Sequence, residues 1–422
     1  MDHPSTEPCK PWSPSAPPKA GKPLDQGGDP PSLRSQVGPI LFLTSIFFLN
    51  FLARVIMAPL MPSIEKDLGL SHGGAGSFFF LISVGYFIAL TGAGFISSRL
   101  THRKTIVVSA ITCGCAILAI ALSANLLGIS AGLLFLGVAS GIYLPSGIAM
   151  ITSVVSSKHW GKALAIHELA PNLGLVSAPL ISEALLSWMS WREVLILLAV
   201  ICLVAGLAFW RFGRGGKFPG KDPSFGALKI LLGERSIWIM IALFSIGVSA
   251  TMGIYAMLPL YLIVERGMEQ RRANTFIALS RVSGIGMSFL AGWATDRFGS
   301  RHTLACILLL TGLFTILLGC TVGPWLILII FLQPMLAGSF FPAGFAALAL
   351  ASPRSVRDTA VSFTIPFAFL VGGGAVPIWI GIMGDAGVFS IGITAVGGMV
   401  LTGFFLAFYL KFPDGRKDES SL

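Results

Sequence analysis

The chain has 422 residues, of which 54% are hydrophobic and only 11% are charged, and its mean hydropathy is +0.82. Soluble domains carry about 25% charged residues, so this composition excludes an ordinary soluble globular protein. The net charge of +10 would suggest nucleic acid as the partner of a soluble protein. We expect no nucleic acid here, because the position of the cations along the chain has another explanation, given below.

Apolar segments fill most of the chain after a polar start. Residues 1–37 are rich in Pro, Ser, Gly and Lys, which predicts a disordered cytosolic tail. Twelve apolar segments of about 20 to 28 residues follow, each long enough to cross roughly 30 Å of hydrocarbon as a helix. Six of them lie in residues 38–212 and six in residues 236–411. A cytosolic linker at 213–235 and a second cytosolic tail at 412–422 complete this all-α membrane protein.

The basic residues are divided unequally between the two ends of the apolar segments. We count 22 of the 29 Lys and Arg in the tails and in the loops of one side. Positively charged loops stay in the cytosol, so both termini are predicted to be cytosolic and the protein to be a multi-pass protein of the cell (inner or plasma) membrane. The net charge therefore reports topology, and the lipid bilayer is the expected surrounding.

Residues that could perform other chemistry do not form recognisable sites in the sequence. Five of the six Cys lie in apolar segments, and none is spaced with His as the ligands of a metal are. The sequence contains no phosphate-binding loop and no Ser/His/Asp set in a plausible site. We therefore expect no enzyme, no cofactor and no metal site.

Ionisable side chains in the apolar segments are few, and each is a functional candidate because a charge in lipid is expensive. Arg54 in the first segment and Arg281 in the eighth both lie roughly 22 to 24 Å from the cytosolic end, at 1.5 Å per residue. Two permanent cations at one depth, one from each half, are suited to hold a carboxylate, sulfonate or phosphate. The polar residues expected to share the substrate site are Asn50, Tyr86, Tyr143, Tyr255 and Gln333.

Structural roles are the alternatives for these residues. Each Arg could pair with a helix end or with Glu168, and Asn50 could hold helices together. Charged residues near the external surface, Glu183 and Asp385 among them, are expected to be solvated.

Glu168 and the adjacent His167 lie about 12 Å into the fifth segment. A carboxylate beside a histidine in a low dielectric can take up a proton, so we predict that both residues take part in proton coupling. The alternatives are a buried ion pair with a nearby Arg and a His that reaches the headgroups.

The ten residues from Gly292 to Arg301, GWATDRFGSR, place an acid, two Arg and turn formers between two apolar segments. They predict a tight hairpin at the membrane surface. A degenerate copy, GFISSRLTHRK, begins 198 residues earlier at Gly94, and there Ser98 replaces the Asp. The two loops resemble the signature loop of the major facilitator superfamily, G-x-x-x-D-R-x-G-x-R.

This resemblance implies twelve transmembrane helices in two pseudo-symmetric six-helix bundles, with a site between them and alternating access. It also implies gating roles for Asp296, Arg297 and Arg301, and for Arg99 in the first half. Residues 49–71 are similar to the anion:cation symporter branch, whose members move organic anions, often with protons. We therefore expect a monomeric secondary active transporter that takes a small carboxylate-like anion through the membrane by proton symport.

Two other functions remain open. In a proton-driven exporter of drugs or metabolites, the fifth segment bears G-x-x-x-G-P, and here residues 174–179 read GLVSAP. A receptor or scaffold that transports nothing would leave the loops and the buried charges without a use. The fourth segment also departs from the anion:cation branch, because it lacks the embedded Arg or Glu that this branch usually has.

Overall fold

The computed structural model describes residues 33–156, 159–220, 225–353 and 356–412. Within them, twelve helices are long and apolar enough to cross a membrane, which confirms the predicted number. In chain order they are α1 Gln36–Leu68, α2 His72–Arg99, α3 His102–Leu122, α4 Leu126–Val154, α5 Trp160–Leu186, α6 Trp191–Phe212, α7 Arg235–Glu265, α8 Gln270–Phe298, α9 Ser300–Cys320, α10 Pro324–Ala351, α11 Thr359–Asp385 and α12 Phe389–Phe408. A short linker helix, Phe225–Gly233, lies between α6 and α7.

The first helix, predicted from the sequence to span about residues 38–63, is longer at both ends. Helical backbone already begins at Leu33, so residues 33–37 of the predicted tail are helical. The helix is interrupted before Met57 and then continues to Leu68, about one and a half turns beyond the expected end. It ends at Gly69, whose φ of 61° suits a residue without a side chain. The rest of the first predicted tail and residues 413–422 lie outside the described part of the chain.

Helix breaks recur at equivalent places in the two halves. In α4 the break is at Ile142, three residues before Pro145, and in α10 it is at Ser339, three residues before Pro342. A proline has no backbone N–H, so each one removes a hydrogen bond from its helix. The two breaks are 197 residues apart, within one residue of the offset between the repeated loops.

In each bundle, an arginine of the repeated loop binds the backbone at the end of the last helix. Nη2 of Arg103 donates to the carbonyl of Trp210 at 2.7 Å, and Nη2 of Arg301 donates to that of Leu410 at 2.5 Å. Both carbonyls lie at the C-terminal end of the last helix of a bundle, where backbone acceptors lack helical partners. This shared use of an arginine fits two pseudo-symmetric bundles.

Glycines bring α2 and α4 into close contact inside the first bundle. A Cβ added to Gly137 would overlap the carbonyl oxygen of Ile82, and one added to Gly85 would overlap that of Leu134. A Cβ on Gly141 would lie 2.8 Å from the carbonyl oxygen of Tyr86. Small residues are what permit such an approach of helices in lipid. The contact fixes the backbone of Tyr86, a predicted site residue.

The two bundles approach each other closely near one membrane face. We call the face that carries the repeated loops the basic face and the opposite one the distal face. Near the distal face, Met57–Leu68 of α1 packs on Ile254–Leu260 of α7. There α2 also approaches α11 so closely that a Cβ on Gly76 would lie 2.5 Å from the carbonyl oxygen of Pro377. One cluster of buried apolar side chains extends through both bundles.

Candidate functional site

Arg54 lies just before the break that Pro59 produces in α1. Its guanidinium carbon is 4.4 Å from the centre of the Tyr86 ring, 5.2 Å from that of Phe51 and 5.9 Å from that of Phe369. Its Nε is buried without a hydrogen-bond partner. Because Phe369 belongs to α11, this cation lies where the two bundles meet.

Arg281 repeats this arrangement in the second bundle. Its side chain is only 8% exposed, and its guanidinium carbon lies 5.0 Å from the centre of the Tyr255 ring. Nε and Nη2 of Arg281 and the hydroxyl of Tyr255 are buried without hydrogen-bond partners. An attraction between cation and ring offsets only part of the cost of burying this charge.

Neither arginine is neutralised by a carboxylate in the part of the chain that the structure describes. The ion pairs found there join Glu65 with His72, His167 with Glu168, and Arg192 with Asp67. The alternative of an Arg paired with Glu168 is therefore not observed among these residues. Each half holds a permanent cation over a tyrosine ring, with buried N–H groups able to receive an anion.

His167 is completely buried in a stack of aromatic rings. Its ring lies parallel to that of Phe47 at 4.4 Å between centres, and Phe47 stacks on Tyr143 at 5.2 Å. The Tyr143 hydroxyl lies 2.8 Å from the carbonyl oxygen of Leu43 and 3.1 Å from Nε2 of His167.

These contacts assign the tautomer of His167. A tyrosine hydroxyl has one hydrogen, and Tyr143 donates it to the carbonyl of Leu43, which can only accept. The hydroxyl oxygen must then accept from His167, so Nε2 carries a hydrogen. In the neutral ring Nδ1 is therefore bare, and it lies 3.6 Å from Oε1 of Glu168. Two facing acceptors repel each other unless one of them is protonated, and the pair thus offers a place for one added proton.

Glu168 is more exposed than the sequence suggested. It lies at a break in α5 that Pro171 produces, and its side chain is 57% exposed rather than held in a low dielectric. The residues exposed on this face of the helix are Gly161, Ala165, Glu168 and Asn172. Further along the same face, Leu175 and Pro179 are buried. We interpret this face of α5 as open to water from the basic face and closed toward the distal face.

His167 and Glu168 lie close to the first arginine site. The Phe47 ring that stacks on His167 is 6.5 Å from the Phe51 ring, and the centre of the Phe51 ring is 5.2 Å from the guanidinium carbon of Arg54. Tyr86 is the ring beneath Arg54 and is itself buried. Arg54, Tyr86, Glu168 and His167, which come from α1, α2 and α5, are therefore brought together.

Asn50 and Gln333 are engaged between helices. Nδ2 of Asn50 donates to Oγ of Ser109 at 3.2 Å, and Asn50 is 3% exposed. Nε2 of Gln333 donates to the carbonyl of Ala250 at 2.9 Å and to Oγ1 of Thr315 at 3.1 Å. These contacts match the role of holding helices together and give no support to contact with a substrate. A substrate-binding role for Asn50, Gln333 and Tyr143 stays a prediction, and the Tyr143 hydroxyl contacts His167.

The predicted gate at the basic face is not assembled in this conformation. Asp296 and Arg99 are exposed, and no ion pair among the described residues includes either of them. Arg297 lies over the ring of Trp293 at 5.8 Å, and Arg301 is bound to Leu410 in its own bundle. A gating role for these four residues stays a prediction for the state in which the basic face closes.

Two acids at the distal face, expected from the sequence to be solvated charges, also make hydrogen bonds. The carboxylate of Asp385, at the end of α11, accepts from the backbone N–H of His72 at 2.6 Å and of Gly73 at 2.9 Å, in the first turn of α2. Glu183 accepts from Nδ2 of Asn274 at 3.2 Å, which joins α5 to α8. All three hydrogen bonds connect the two bundles. The sequence could not reveal them, because nothing in it indicates which helix ends meet.

Comparison with known proteins gives a consistent result. A sequence model of the Major Facilitator Superfamily matches residues 43–293. A gallate transporter of Pseudomonas putida is 22% identical over 302 residues, which is 63% of this chain and 66% of that protein. A probable L-galactonate transporter of Escherichia coli (strain K12) is 22% identical over 282 residues, 62% of each protein. The chain thus matches less than two thirds of the length of these two relatives.

A solved structure has the same arrangement of helices. It is that of a bacterial homolog to the human lysosomal transporter Spinster, in an inward-facing and occupied conformation. The TM-score is 0.76 at 16% identity, and the match covers 89% of this chain and 96% of that one. At this identity the likeness establishes the fold alone. None of the three matching proteins is an enzyme. With its twelve membrane helices and a family match over more than half of its length, the chain belongs to the major facilitator superfamily.

Proposed function

We propose that the protein is a secondary transporter that moves a small organic anion by alternating access, together with a proton. The observation that carries this proposal is a pair of guanidinium groups, one in each bundle, whose buried N–H groups lack partners and which no carboxylate neutralises in the described residues. An organic anion would supply the missing charge and acceptors. Gallate and L-galactonate, named for two relatives, are both organic anions, which supports this class.

The two faces of the molecule suit one stage of an alternating-access cycle. The bundles are joined at the distal face through α1 and α7, α2 and α11, and α5 and α8. The exposed face of α5 leads from the basic face to Glu168. Basic loops stay in the cytosol, so this state is the one that exchanges substrate with the cytosol.

The setting of Arg54 favours a flat anion. Three aromatic rings, those of Phe51, Tyr86 and Phe369, lie within 6 Å of its guanidinium carbon. Rings in such positions can stack on an aromatic acid while the guanidinium binds its carboxylate in a fork. Gallate is therefore expected to bind more tightly than galactonate.

Proton coupling follows from the pair formed by His167 and Glu168. A proton taken up between Nδ1 and Oε1 adds a positive charge beside the Arg54–Tyr86 pair. That charge favours anion binding, and the bound anion in turn favours the proton. Loading of both from outside and release of both to the cytosol would then be symport.

Binding of gallate to the purified protein tests the anion site. Arg54→Ala and Arg281→Ala should each weaken gallate binding about 30-fold or more, because each removes one of the two cations that balance the buried anion. Arg272→Ala is the matched control, since Arg272 is an exposed arginine on the same helix as Arg281. Affinity for gallate and galactonate that is unchanged in both site variants would remove the arginines from the site.

A further inference from the structure

A groove of about 590 Å³ lies at the basic face, where α3 begins and α6 ends. It is outside the candidate substrate site and belongs to the first bundle alone. One end of the groove is basic and the other is apolar, so each end is considered in turn.

Three cations line the basic end, Arg103, Lys104 and Lys217, and the described residues that line the groove include no acid. Lys217 belongs to the segment that follows α6 and returns across the start of α3. The carbonyls of Gly216 and Phe218 accept from the backbone N–H groups of Arg103 at 2.9 Å and His102 at 3.2 Å. These bonds hold Lys217 beside the other cations.

The loop itself supplies no counter-charge. In this copy of the repeated loop, Ser98 stands where the second copy has Asp296. The equivalent of Lys104 in the second bundle is His302. At these two positions the first loop therefore has one more permanent cation and one acid fewer than the second.

The other end of the groove has the character of a lipid-facing surface. Val107 and Val108 lie about one helical turn beyond Arg103 and line this end, and Val108 is 38% exposed. Trp210, which also lines the groove, is 65% exposed at the end of a transmembrane helix. Tryptophan at such a position is typical of the boundary between headgroups and acyl chains.

We propose that this groove binds an anionic phospholipid of the leaflet at the basic face. The phosphate would lie between Lys104, Lys217 and the free nitrogen atoms of Arg103, and an acyl chain would run along Val108 and Trp210. Basic pockets between transmembrane helices on the cytoplasmic side have this specificity on electrostatic grounds. A free phosphate or a soluble anion would use the cations but not the apolar end.

Lipid binding to the full-length protein in a neutral detergent tests the proposal. Dioleoyl phosphatidylglycerol should raise the melting temperature and remain bound in native mass spectrometry, whereas dioleoyl phosphatidylcholine should do neither. Lys104→Ala and Lys217→Ala should each weaken phosphatidylglycerol binding about fivefold, as expected for one cation near a membrane surface. Lys229→Ala should have no effect, because Lys229 is exposed on the linker helix, outside the groove.

Two further measurements distinguish binding of a lipid from binding of other anions. Val108→Trp should weaken phosphatidylglycerol binding, because it fills the apolar end while the cations stay in place. Inorganic phosphate at the same concentration should not stabilise the protein. The proposal is overturned if phosphate stabilises as well as the lipid does, if Val108→Trp binds the lipid like wild type, or if Lys229→Ala loses as much binding as Lys104→Ala. These measurements need no transport activity, so they stand apart from the proposed function.

Discussion

At the scale of single residues, the proposed chemistry depends on two cations over tyrosine rings and on one proton shared between neighbours. Arg54 and Arg281 each lie above a tyrosine that comes from a neighbouring helix of the same bundle. His167 is fully buried, while the adjacent Glu168 is 57% exposed. The break at Pro171 allows these consecutive residues to face different surroundings.

Glu168→Gln should abolish proton-driven accumulation of gallate in liposomes and spare gallate exchange. The amide cannot take up the proton, but the arginines that bind the anion stay unchanged. Uptake and exchange in the same vesicles, measured with and without a proton gradient, separate the two steps. Glu269→Gln serves as the control, since this acid is exposed at the distal face. Accumulation that persists in Glu168→Gln would make the coupling assignment wrong.

Tyr143→Phe should move the pH of half-maximal uptake to a lower value, while gallate binding at low pH, where the proton is loaded, should stay unchanged. Loss of the hydroxyl frees His167 to carry its hydrogen on Nδ1, where it can donate to the Glu168 carboxylate. That bond stabilises the pair without the added proton, so a higher proton concentration is needed to load it. The aromatic stack remains, and stability should fall by about 1 to 3 kcal/mol for the two lost hydrogen bonds.

The pH profile of uptake and a thermal melt measure both effects of Tyr143→Phe. Tyr409→Phe is the control, because Tyr409 is 65% exposed. An unchanged profile in Tyr143→Phe would refute the role in orienting His167.

The functional residues and their contacts were only partly predictable from the sequence. Arg54 and Arg281 could be found because a charge in an apolar segment is conspicuous. A substrate role for Tyr143 stays a prediction, and its hydroxyl contacts Leu43 and His167 from two other helices. Such partners are set by tertiary packing, which no local pattern encodes.

At the scale of helices, prolines and glycines shape the site. Prolines break α1, α4, α5 and α10, and Arg54, Tyr143 and Glu168 all lie at such breaks. These breaks could be anticipated from the sequence. The π-helical turns could not be anticipated from the sequence, because they depend on contact between helices. In α11 the turn at Phe369–Ala375 lets Gly372 approach α7 so closely that a Cβ would lie 2.5 Å from the backbone nitrogen of Ser249.

Gly137→Ala should destabilise the protein by about 1 to 3 kcal/mol, the usual cost of overpacking. The added methyl would overlap the backbone of α2, which cannot rotate away as a side chain can. Gly92→Ala is the matched control, since no atom lies within 4 Å of the added carbon there. Chemical or thermal unfolding in detergent compares the two. Equal stability of both variants would mean that α2 and α4 can separate without cost.

At the scale of the whole molecule, hydropathy and the repeated loop were sufficient to predict twelve helices in two related halves. They could not indicate which face is closed, because one sequence must be compatible with both states of the cycle. The closed distal face depends on contacts such as that of Asp385 with the N-terminus of α2, where backbone N–H groups and the helix dipole favour a negative charge.

Asp385→Ala should therefore shift the population roughly fivefold toward a state that is open at the distal face, as expected for an anion at a helix N-terminus. Ser187 and Val322 are exposed in two turns at the distal face. Double electron–electron resonance between spin labels at these two positions should report the opening as a longer distance. Glu193→Ala is the control, because Glu193 caps a helix at the same face within one bundle. An identical distance distribution in Asp385→Ala and wild type would exclude Asp385 as a latch.

The aromatic stack around His167 also restricts how fast this imidazole can exchange its hydrogen. Phe47 covers one side of the ring, Tyr143 occupies Nε2, and only Nδ1 points to a group that meets solvent. Under the proposed coupling, every proton that reaches or leaves the ring passes through the neighbouring carboxylate. In a variant that lacks the Glu168 carboxylate, the His167 ring would exchange protons with the cytosol slowly, even if its protonation equilibrium were unchanged.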